Sequence, residues 1–256
     1  IVARVGLSTD LPSTAKYRYS VRRLIDAVVV NAEEYHEPFI AASGLDPSRV
    51  IAIPNGVRSP ERRAEPGAVR RALGLPPEAR VVGAVARLTQ QKRLDRLISA
   101  LAELPTDVHV VLAGDGKLRA ELEAQAAELN VRERVHFLGH REDVGDVLDA
   151  LDVFVLCSDK EGLASAMLEA MAAGVPVVCT PVSGVAEALA SPPGEVAPGV
   201  VVGFETAQLA AALRDLLAEP ERLRAMAAAG ARRARERFGF DHMLDRYEAV
   251  LGMSGA

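Results

Sequence analysis

Aromatic residues are scarce in this 256-residue sequence: tryptophan is absent, and aromatic residues together make up 4%. Proteins that bind nucleic acids commonly rely on stacking aromatic side chains and on an excess of positive charge. This chain has neither, because its formal net charge is −5. We therefore expect that no nucleic acid is its principal partner.

Cysteine is rare as well. The two cysteines, Cys157 and Cys179, each end an apolar run, which indicates buried, reduced thiols and a cytoplasmic protein. Neither these residues nor the five histidines show the spacing of a metal site. We expect no bound metal.

No apolar run is long enough to span a bilayer, and the first residues lack the pattern of a signal peptide. The sequence begins at Ile1 rather than methionine, so we expect a fragment of a longer protein. Peripheral contact with the inner face of the membrane is an alternative, because interleaved basic and aromatic residues bind anionic lipid, although a solvated helix face shows the same pattern. These residues are Lys16, Tyr17, Arg18, Tyr19, Arg22 and Arg23.

Two nucleotide-binding motifs are also missing. No Gly-x-Gly-x-x-Gly follows an apolar run, and no Gly-Lys-Ser/Thr sequence of a P-loop occurs. Hydride transfer with a dinucleotide and NTP hydrolysis are therefore disfavoured. The composition, 49% hydrophobic and 25% charged, is nevertheless that of a globular protein with an ample core.

From about residue 80 onward, short apolar runs alternate with amphipathic helical segments. Runs that are apolar throughout indicate strands buried on both faces, and hence a parallel sheet. The alternation predicts an α/β fold with a doubly wound parallel sheet. The predicted strands are Val81–Ala86, Val108–Ala113, Val135–Leu138, Val153–Cys157, Val177–Cys179 and Val200–Val202.

The first 63 residues differ from the rest. They predict two strands, Ala27–Val30 and Val50–Ile53, around a helix over 32–43 that Gly44 ends. The charged and breaker-rich stretch 58–67 is typical of a linker. Because two strands and a helix cannot form a core alone, we interpret residues 1–63 as the end of an earlier domain with its linker. Residues 64–238 form the main domain, and residues 239–256 form a terminal helix.

The segment 161–169 contains two carboxylates, Glu161 and Glu169, around an otherwise apolar helix that stops at Gly174. A buried carboxylate is costly unless something compensates it, and the hydroxyls of a ligand would do so. Eight helical residues would separate the two acids by roughly 12 Å. The N–H groups of Gly162 and Leu163 would then face an anion between them. Alternatively, Glu161 is simply a first-turn acid favoured by the helix dipole.

Ligands of open parallel sheets bind at the carboxyl ends of the strands. Arg87 and Lys92 flank the loop after the first predicted strand and would suit a pyrophosphate, although a basic surface loop would look the same. The stretch 180–184 follows the fifth predicted strand. It could offer backbone N–H groups, including those of Ser183 and Gly184, to a phosphate.

The sequence resembles the C-terminal, donor-binding half of GT-B glycosyltransferases of the retaining family-4 type. The resemblance extends over about residues 20 to 252. Shared features are an Asn-Gly turn, a basic loop, the two-glutamate helix and the Gly-Val-Pro-Val-Val stretch behind it. The matching segments are 54–57, 86–88 with Lys92, 113–116, 137–139, 150–155, 158–162 and 169–178.

The resemblance implies a Rossmann-like domain and transfer of a sugar from a nucleoside-diphosphate sugar, with retention, to an unknown acceptor: a glycan, a lipid or a small molecule. It implies that Arg87 and Lys92 bind the diphosphate, that Glu161 with Gly162 and Leu163 orients the sugar, and that Glu169 binds the ribose. The remaining implied contacts are Gly139 and Arg141 at the base and Ser183 and Gly184 at the phosphates. No metal or separate cofactor is expected.

Departures from the family pattern leave other possibilities open. Arg58 and Arg93 replace a common acid and a common glycine at what we expect to be surface positions, and Ser183 replaces the first of two usual glycines. Most of the acceptor domain is absent, and we expect the terminal helix to cross back toward it. The chain could therefore be a non-catalytic nucleotide-sugar-binding module. A GT-B epimerase or phosphorylase is the other alternative, although no lysine is convincingly placed for pyridoxal phosphate.

Overall fold

A computed structural model describes residues 1–5 and 14–253. In this part of the chain the strands form two parallel sheets, one of three strands and one of six. The smaller sheet contains β1 (Val2–Val5), β2 (Ala27–Val30) and β3 (Val50–Ala52). The larger contains β4 (Arg80–Val85), β5 (Val108–Ala113), β6 (Val135–Gly139), β7 (Val153–Leu156), β8 (Val177–Cys179) and β9 (Gly199–Val201).

The six-stranded sheet has the order β6-β5-β4-β7-β8-β9, and every neighbouring pair is parallel. The chain starts at a central strand, winds to one edge, and then returns to continue on the other side. The predicted doubly wound sheet is thus confirmed, and its reversal point lies between β4 and β7. Ligand-binding crevices of such sheets open at this reversal, outside the carboxyl ends of the strands.

Helices cover both faces of the large sheet, so its strands are buried and continuously apolar. One core contains Leu97, Leu122 and Leu213, and the other contains Met167 and Phe238. The helices of this part are α3 (Ala68–Ala72), α4 (Leu94–Leu101), α5 (Arg119–Glu128), α6 (Val144–Asp149), α7 (Ser165–Ala172), α8 (Val185–Leu189), α9 (Thr206–Leu217) and α10 (Pro220–Phe238).

The small sheet packs between α1 (Ala15–Leu24) and α2 (His36–Ser43) on one face and α11 (Phe240–Met253) on the other. On the α11 side, Val29 and Ile53 of the sheet contact Val250, Met243 and Tyr247 of the helix. The chain therefore returns to its beginning after the large domain. Among the helices of the described residues, none has the length and hydrophobicity needed to cross a bilayer.

Some details of the first part differ from the prediction. The structure adds β1, which the sequence pattern did not reveal because Arg4 interrupts its apolar alternation. It also shows the helix α1 over the basic and aromatic residues for which a solvated helix face was the alternative interpretation. The helix predicted over 32–43 is a 3₁₀ turn over residues 33–35 followed by α2. Gly44 does end α2, with a φ of 64° in the left-handed region that glycine tolerates.

The two connections between the halves lie side by side. The N–H of Val57 donates to the carbonyl of Phe238 at 2.7 Å, and the N–H of Phe240 donates to the carbonyl of Val57 at 3.1 Å. Gly56 fits here because a Cβ atom at this position would lie only 2.8 Å from Cβ of Met243 and from Cα of Phe240. This close approach explains the Asn-Gly turn.

At the amino ends of their strands, away from the ligand-binding edge, His109 of β5 and His136 of β6 form a stacked pair. Their Nδ1 and Nε2 atoms are 3.2 Å apart, so a neutral ring donates to its neighbour. Burial lowers the pKa of both rings. Arg134 lowers the His109 pKa further and Asp107 opposes this, while His109 and Arg132 lower the His136 pKa.

We expect this pair to make folding sensitive to acid. Because the folded pKa values are depressed, the unfolded chain binds protons first as the pH falls through about 6.5. The pair's contribution to the free energy of unfolding is therefore present at neutral pH and lost below that value. Urea denaturation at pH 7.5 and 5.5 should show a smaller acid loss in the His109→Gln/His136→Gln variant than in the unaltered protein. The exposed His242→Gln serves as the control, and an equal loss in all three proteins would contradict this expectation.

Candidate functional site

The loops that leave β4 and β7 at the reversal of the sheet enclose a cavity of about 480 Å³. Its lining includes Arg87 and Lys92 from the loop after β4, Glu161 from the loop after β7, and Ser165 at the start of α7. The structure thus brings the three residues predicted to act on the donor into one cavity. The position agrees with the rule for open parallel sheets.

Glu161 is buried, and its carboxylate is compensated by protein groups. Lys92 Nζ lies 2.5 Å from Glu161 Oε1, and the hydroxyl of Ser158 donates to the same oxygen at 2.6 Å. Ser158 is itself fixed, because the hydroxyl of Thr180 donates to its carbonyl at 2.7 Å. The expectation that ligand hydroxyls alone satisfy Glu161 is therefore wrong.

The start of α7 also differs from the prediction. The helix begins at Ser165, four residues after Glu161, so Gly162 and Leu163 belong to the preceding loop. The expected separation of roughly 12 Å along a helix axis does not apply, because the three residues 162–164 are not helical. Within the described chain, the N–H groups of Gly162 and Leu163 have no hydrogen-bond partner. They remain available to a ligand, although not as helix-terminal groups.

Arg87 is exposed, and its guanidinium has no ion-pair or hydrogen-bond partner among the residues described. It differs in this from Arg93, whose guanidinium pairs with Asp95 at 2.9 Å and Asp159 at 3.1 Å. Arg93 has a φ of 48°, in the left-handed region, which explains why glycine is common at this position in the family. Arg93 is half-buried and paired rather than a surface residue.

Glu169 lines a second cavity of about 520 Å³, together with Gly56, Glu142 and Ser165. Its carboxylate has no cation beside it in the described structure, and burial raises its pKa. Because Ser165 lines both cavities, they adjoin, so one extended ligand could reach from Lys92 to Glu169. Of the two glutamates, Glu161 and Glu169, it is the carboxylate of Glu169 that has no ion-pair partner among the described residues.

The predicted residues Gly139, Arg141, Ser183 and Gly184 are not among the residues that line either cavity. Gly139 ends β6 with a φ of 69°, and Arg141 beyond it is paired with Asp143, whose Oδ1 accepts from Arg141 Nε at 2.7 Å. This pairing lowers the pKa of Asp143. Arg141 is therefore less available to a ligand than Arg87, although the loop that it starts continues to the Glu169 cavity through Glu142.

Ser183 is half-buried, and Gly184 precedes α8 with a φ of 76°. The N–H of Gly184 donates to Glu34 Oε1 at 3.0 Å, so a protein carboxylate occupies the N–H predicted for a phosphate. A Cβ atom on Gly184 would lie 3.1 Å from Cα of Leu163. The glycine thus lets the loops after β7 and β8 touch.

Sequence reasoning missed the contribution of the first part of the chain. The hydroxyl of Tyr35 donates to the carbonyl of Glu161 at 3.1 Å, and Asn55 Nδ2 donates to the carbonyl of Leu163 at 2.9 Å. Both contacts connect residues more than a hundred positions apart, and no local pattern indicates them. In the described residues, His, Cys, Asp and Glu side chains form no group of three or more suited to a metal ion.

Comparisons with known proteins agree with this architecture. The chain is 32% identical to a 2-deoxystreptamine glucosyltransferase of Streptomyces kanamyceticus, over 93% of this chain and 64% of the relative. It is 34% identical to a D-inositol 3-phosphate glycosyltransferase of Xylanimonas cellulosilytica, over 87% of this chain and 56% of the relative. It therefore spans between half and two thirds of these relatives.

Among solved structures, the Anabaena protein HepE in complex with UDP superposes with a TM-score of 0.87 and 24% identity, over 98% of this chain and 72% of that chain. The same protein with UDP-glucose gives a TM-score of 0.85. At this identity the likeness shows the fold. The family model "Glycosyl transferases group 1" matches residues 67–233. The chain accordingly belongs to the family of glycosyl transferases group 1 and has the fold of the GT-B glycosyltransferases.

Proposed function

We propose that this protein is a retaining glycosyltransferase of the family-4 type that transfers a sugar from a nucleoside-diphosphate sugar. One observation carries the proposal: Arg87, Lys92 and Glu161 surround a cavity at the reversal of the sheet, and this cavity adjoins the one that Glu169 lines. The membership of the chain in its family supports the reaction class.

The diphosphate would lie between Arg87 and Lys92. Arg87 offers an unpaired planar fork of donors, and Lys92 has three donor hydrogens, of which the Glu161 carboxylate needs one. Negative charge that develops on the leaving nucleoside diphosphate would be stabilised by these two cations, fixed before the reaction starts. They would provide the positive charge without a metal.

Glu161 would receive the sugar. Its Oε1 already accepts from Lys92 and Ser158, so the carboxylate is held in one orientation. The second oxygen can accept from a sugar hydroxyl, and the N–H groups of Gly162 and Leu163 can donate to oxygens of the sugar. Such a rigid constellation suits the orientation of a reacting group.

Glu169 would bind the ribose, because a diol offers two donors to a carboxylate that lacks any other compensation. We propose a uridine nucleotide as the donor base, since the similar Anabaena protein was solved with UDP and with UDP-glucose. The base would lie near the loop from Gly139 to Glu142, which borders the Glu169 cavity.

The binding of the nucleotide can be tested directly. UDP and UDP-glucose should raise the unfolding midpoint, corresponding to about 2.7 kcal/mol at a hundredfold excess over the dissociation constant. Arg87→Ala should weaken both ligands roughly ten- to a hundredfold, because it removes charge-assisted hydrogen bonds to phosphate.

The control for this experiment is Arg224→Ala, since Arg224 lies on the exposed surface of α10 and pairs with Glu221 of the same helix. Its affinity should match that of the unaltered protein. The proposal fails if neither these ligands nor the GDP-, ADP- and dTDP-sugars shift the midpoint.

Glu169 should show opposite effects on stability and binding. Its pKa is raised by burial, so the ionised form destabilises the ligand-free fold above the ordinary pKa, and protonation relieves this cost as the pH falls. Glu169→Gln should therefore raise the melting temperature of the ligand-free protein at pH 7.5 while weakening UDP by roughly three- to tenfold. Differential scanning calorimetry and titration calorimetry measure the two effects. A variant that is both less stable and equally tight in binding would show that Glu169 is structural.

A further inference from the structure

The segment 158–164, which we call the sugar loop, connects β7 to α7 without regular secondary structure. It carries Glu161 and the N–H groups of Gly162 and Leu163, which have no hydrogen-bond partner in the described part of the chain. Several hydrogen bonds hold the first residues of its backbone, one of them from the hydroxyl of Thr180 to the carbonyl of Ser158 at 2.7 Å. From the same domain, Gln91 contributes two: its carbonyl accepts from the N–H of Asp159 at 2.9 Å, and its side chain donates to the carbonyl of Lys160 at 2.7 Å.

The central part of the sugar loop is held from the other half of the chain. The hydroxyl of Tyr35 donates to the carbonyl of Glu161 at 3.1 Å, in a buried contact. Asn55 Nδ2 donates to the carbonyl of Leu163 at 2.9 Å. The residues that carry the proposed sugar contacts thus depend on the first part of the chain for their backbone position.

Tyr35 is itself well fixed, with only 5% of its surface exposed and a place in the core of the small sheet. The two residues before it contact the loop after β8 and the helix α8 that follows this loop. The carboxylate of Glu34 accepts from the N–H of Gly184 at 3.0 Å, and the N–H of Glu33 donates to Glu187 Oε2 at 3.1 Å. The position of the phenol is consequently fixed by the core of the small sheet and by the contacts of Glu33 and Glu34 with the large domain.

The hydrogen bond from Tyr35 to the carbonyl of Glu161 also sets the direction of the next N–H group, because a peptide unit is rigid. The carbonyl of Glu161 and the N–H of Gly162 belong to one planar peptide unit, and in the trans form they point in opposite directions. A hydrogen bond that holds the carbonyl toward the small sheet therefore also sets the direction of the Gly162 N–H. It restricts the backbone from which the Glu161 side chain extends.

We propose that Tyr35 is a positioning residue for the sugar half of the donor site, acting through the Glu161–Gly162 peptide without touching the donor. This inference rests on the proposed function. Recognition of the sugar then depends on the contact between the first part of the chain and the large domain, whereas recognition of the nucleotide does not. A ligand without a sugar does not use the group that Tyr35 positions.

The test compares two ligands in one variant. Tyr35→Phe keeps the buried ring and removes only the donor hydroxyl, so the fold should be retained, as circular dichroism and the melting temperature will report. Titration calorimetry should give a UDP dissociation constant within about twofold of the unaltered value. The UDP-glucose dissociation constant should rise about three- to tenfold, the loss expected for one hydrogen bond.

Tyr247 provides a matched control. Its hydroxyl oxygen is buried in the small-sheet region and has no hydrogen-bond partner within the described structure. Tyr247→Phe therefore removes a hydroxyl of the same kind from the same half of the protein, and the ratio of the UDP and UDP-glucose affinities should not change.

Two results would overturn the role of Tyr35: an unchanged affinity ratio in Tyr35→Phe, or an equal loss for both ligands, which would indicate a general structural role. If the unaltered protein binds neither ligand, the proposed uridine donor fails and the role of Tyr35 in binding UDP-glucose fails with it. The proposed glycosyltransferase function fails only if the GDP-, ADP- and dTDP-sugars do not bind either. Normal UDP binding with an unchanged ratio removes only this inference.

Discussion

The buried ion pair between Lys92 and Glu161 is the interaction on which the site depends. Removing two charges from water is costly, and the cost is recovered only when geometry and additional hydrogen bonds are good. Here Ser158 donates to the same carboxylate oxygen, and Thr180 fixes Ser158, so the pair is connected to the ends of β7 and β8. The pair joins the two loops on either side of the sheet reversal. It fixes the position of the loop after β4 relative to the loop after β7, and these two loops line the cavity.

The two glutamates of the candidate site, Glu161 and Glu169, therefore have different physical surroundings. Glu161 is buried, and Lys92 and Ser158 hold its carboxylate in one orientation without a ligand. Glu169 is half-buried without a cation among the described residues, and burial raises its pKa. Such a group lowers the stability of the ligand-free fold, and a ligand that supplies hydrogen bonds to the carboxylate would offset this cost. Arg87 complements this picture as the cation of the cavity whose guanidinium is unpaired in the described structure.

Much of the large domain could be predicted from the sequence, because local hydrophobicity determines it. Runs such as Val108–Ala113 are apolar on both faces and were assigned with the correct bounds. The arrangement of Arg87, Lys92 and Glu161 around one cavity also followed, since parallel strands deliver their carboxyl ends to one edge. What failed depends on contacts between distant residues. Glu161 was expected to need a ligand because the sequence does not reveal that Lys92, 69 positions away, reaches it. The contact of Tyr35 with the carbonyl of Glu161 was missed for the same reason, whereas β1 was missed because Arg4 interrupts its apolar pattern.

The most direct test of this account is a crystal structure of the chain with UDP-glucose. The account requires the diphosphate oxygens to lie within hydrogen-bond distance of the Arg87 guanidinium and the Lys92 ammonium, with glucose hydroxyls at Glu161 and the ribose at Glu169. Lys92 would keep its contact with Glu161 while donating to phosphate. A nucleotide bound elsewhere, or one whose phosphates avoid Arg87 and Lys92, would contradict the central claim that this compensated ion pair organises a donor site.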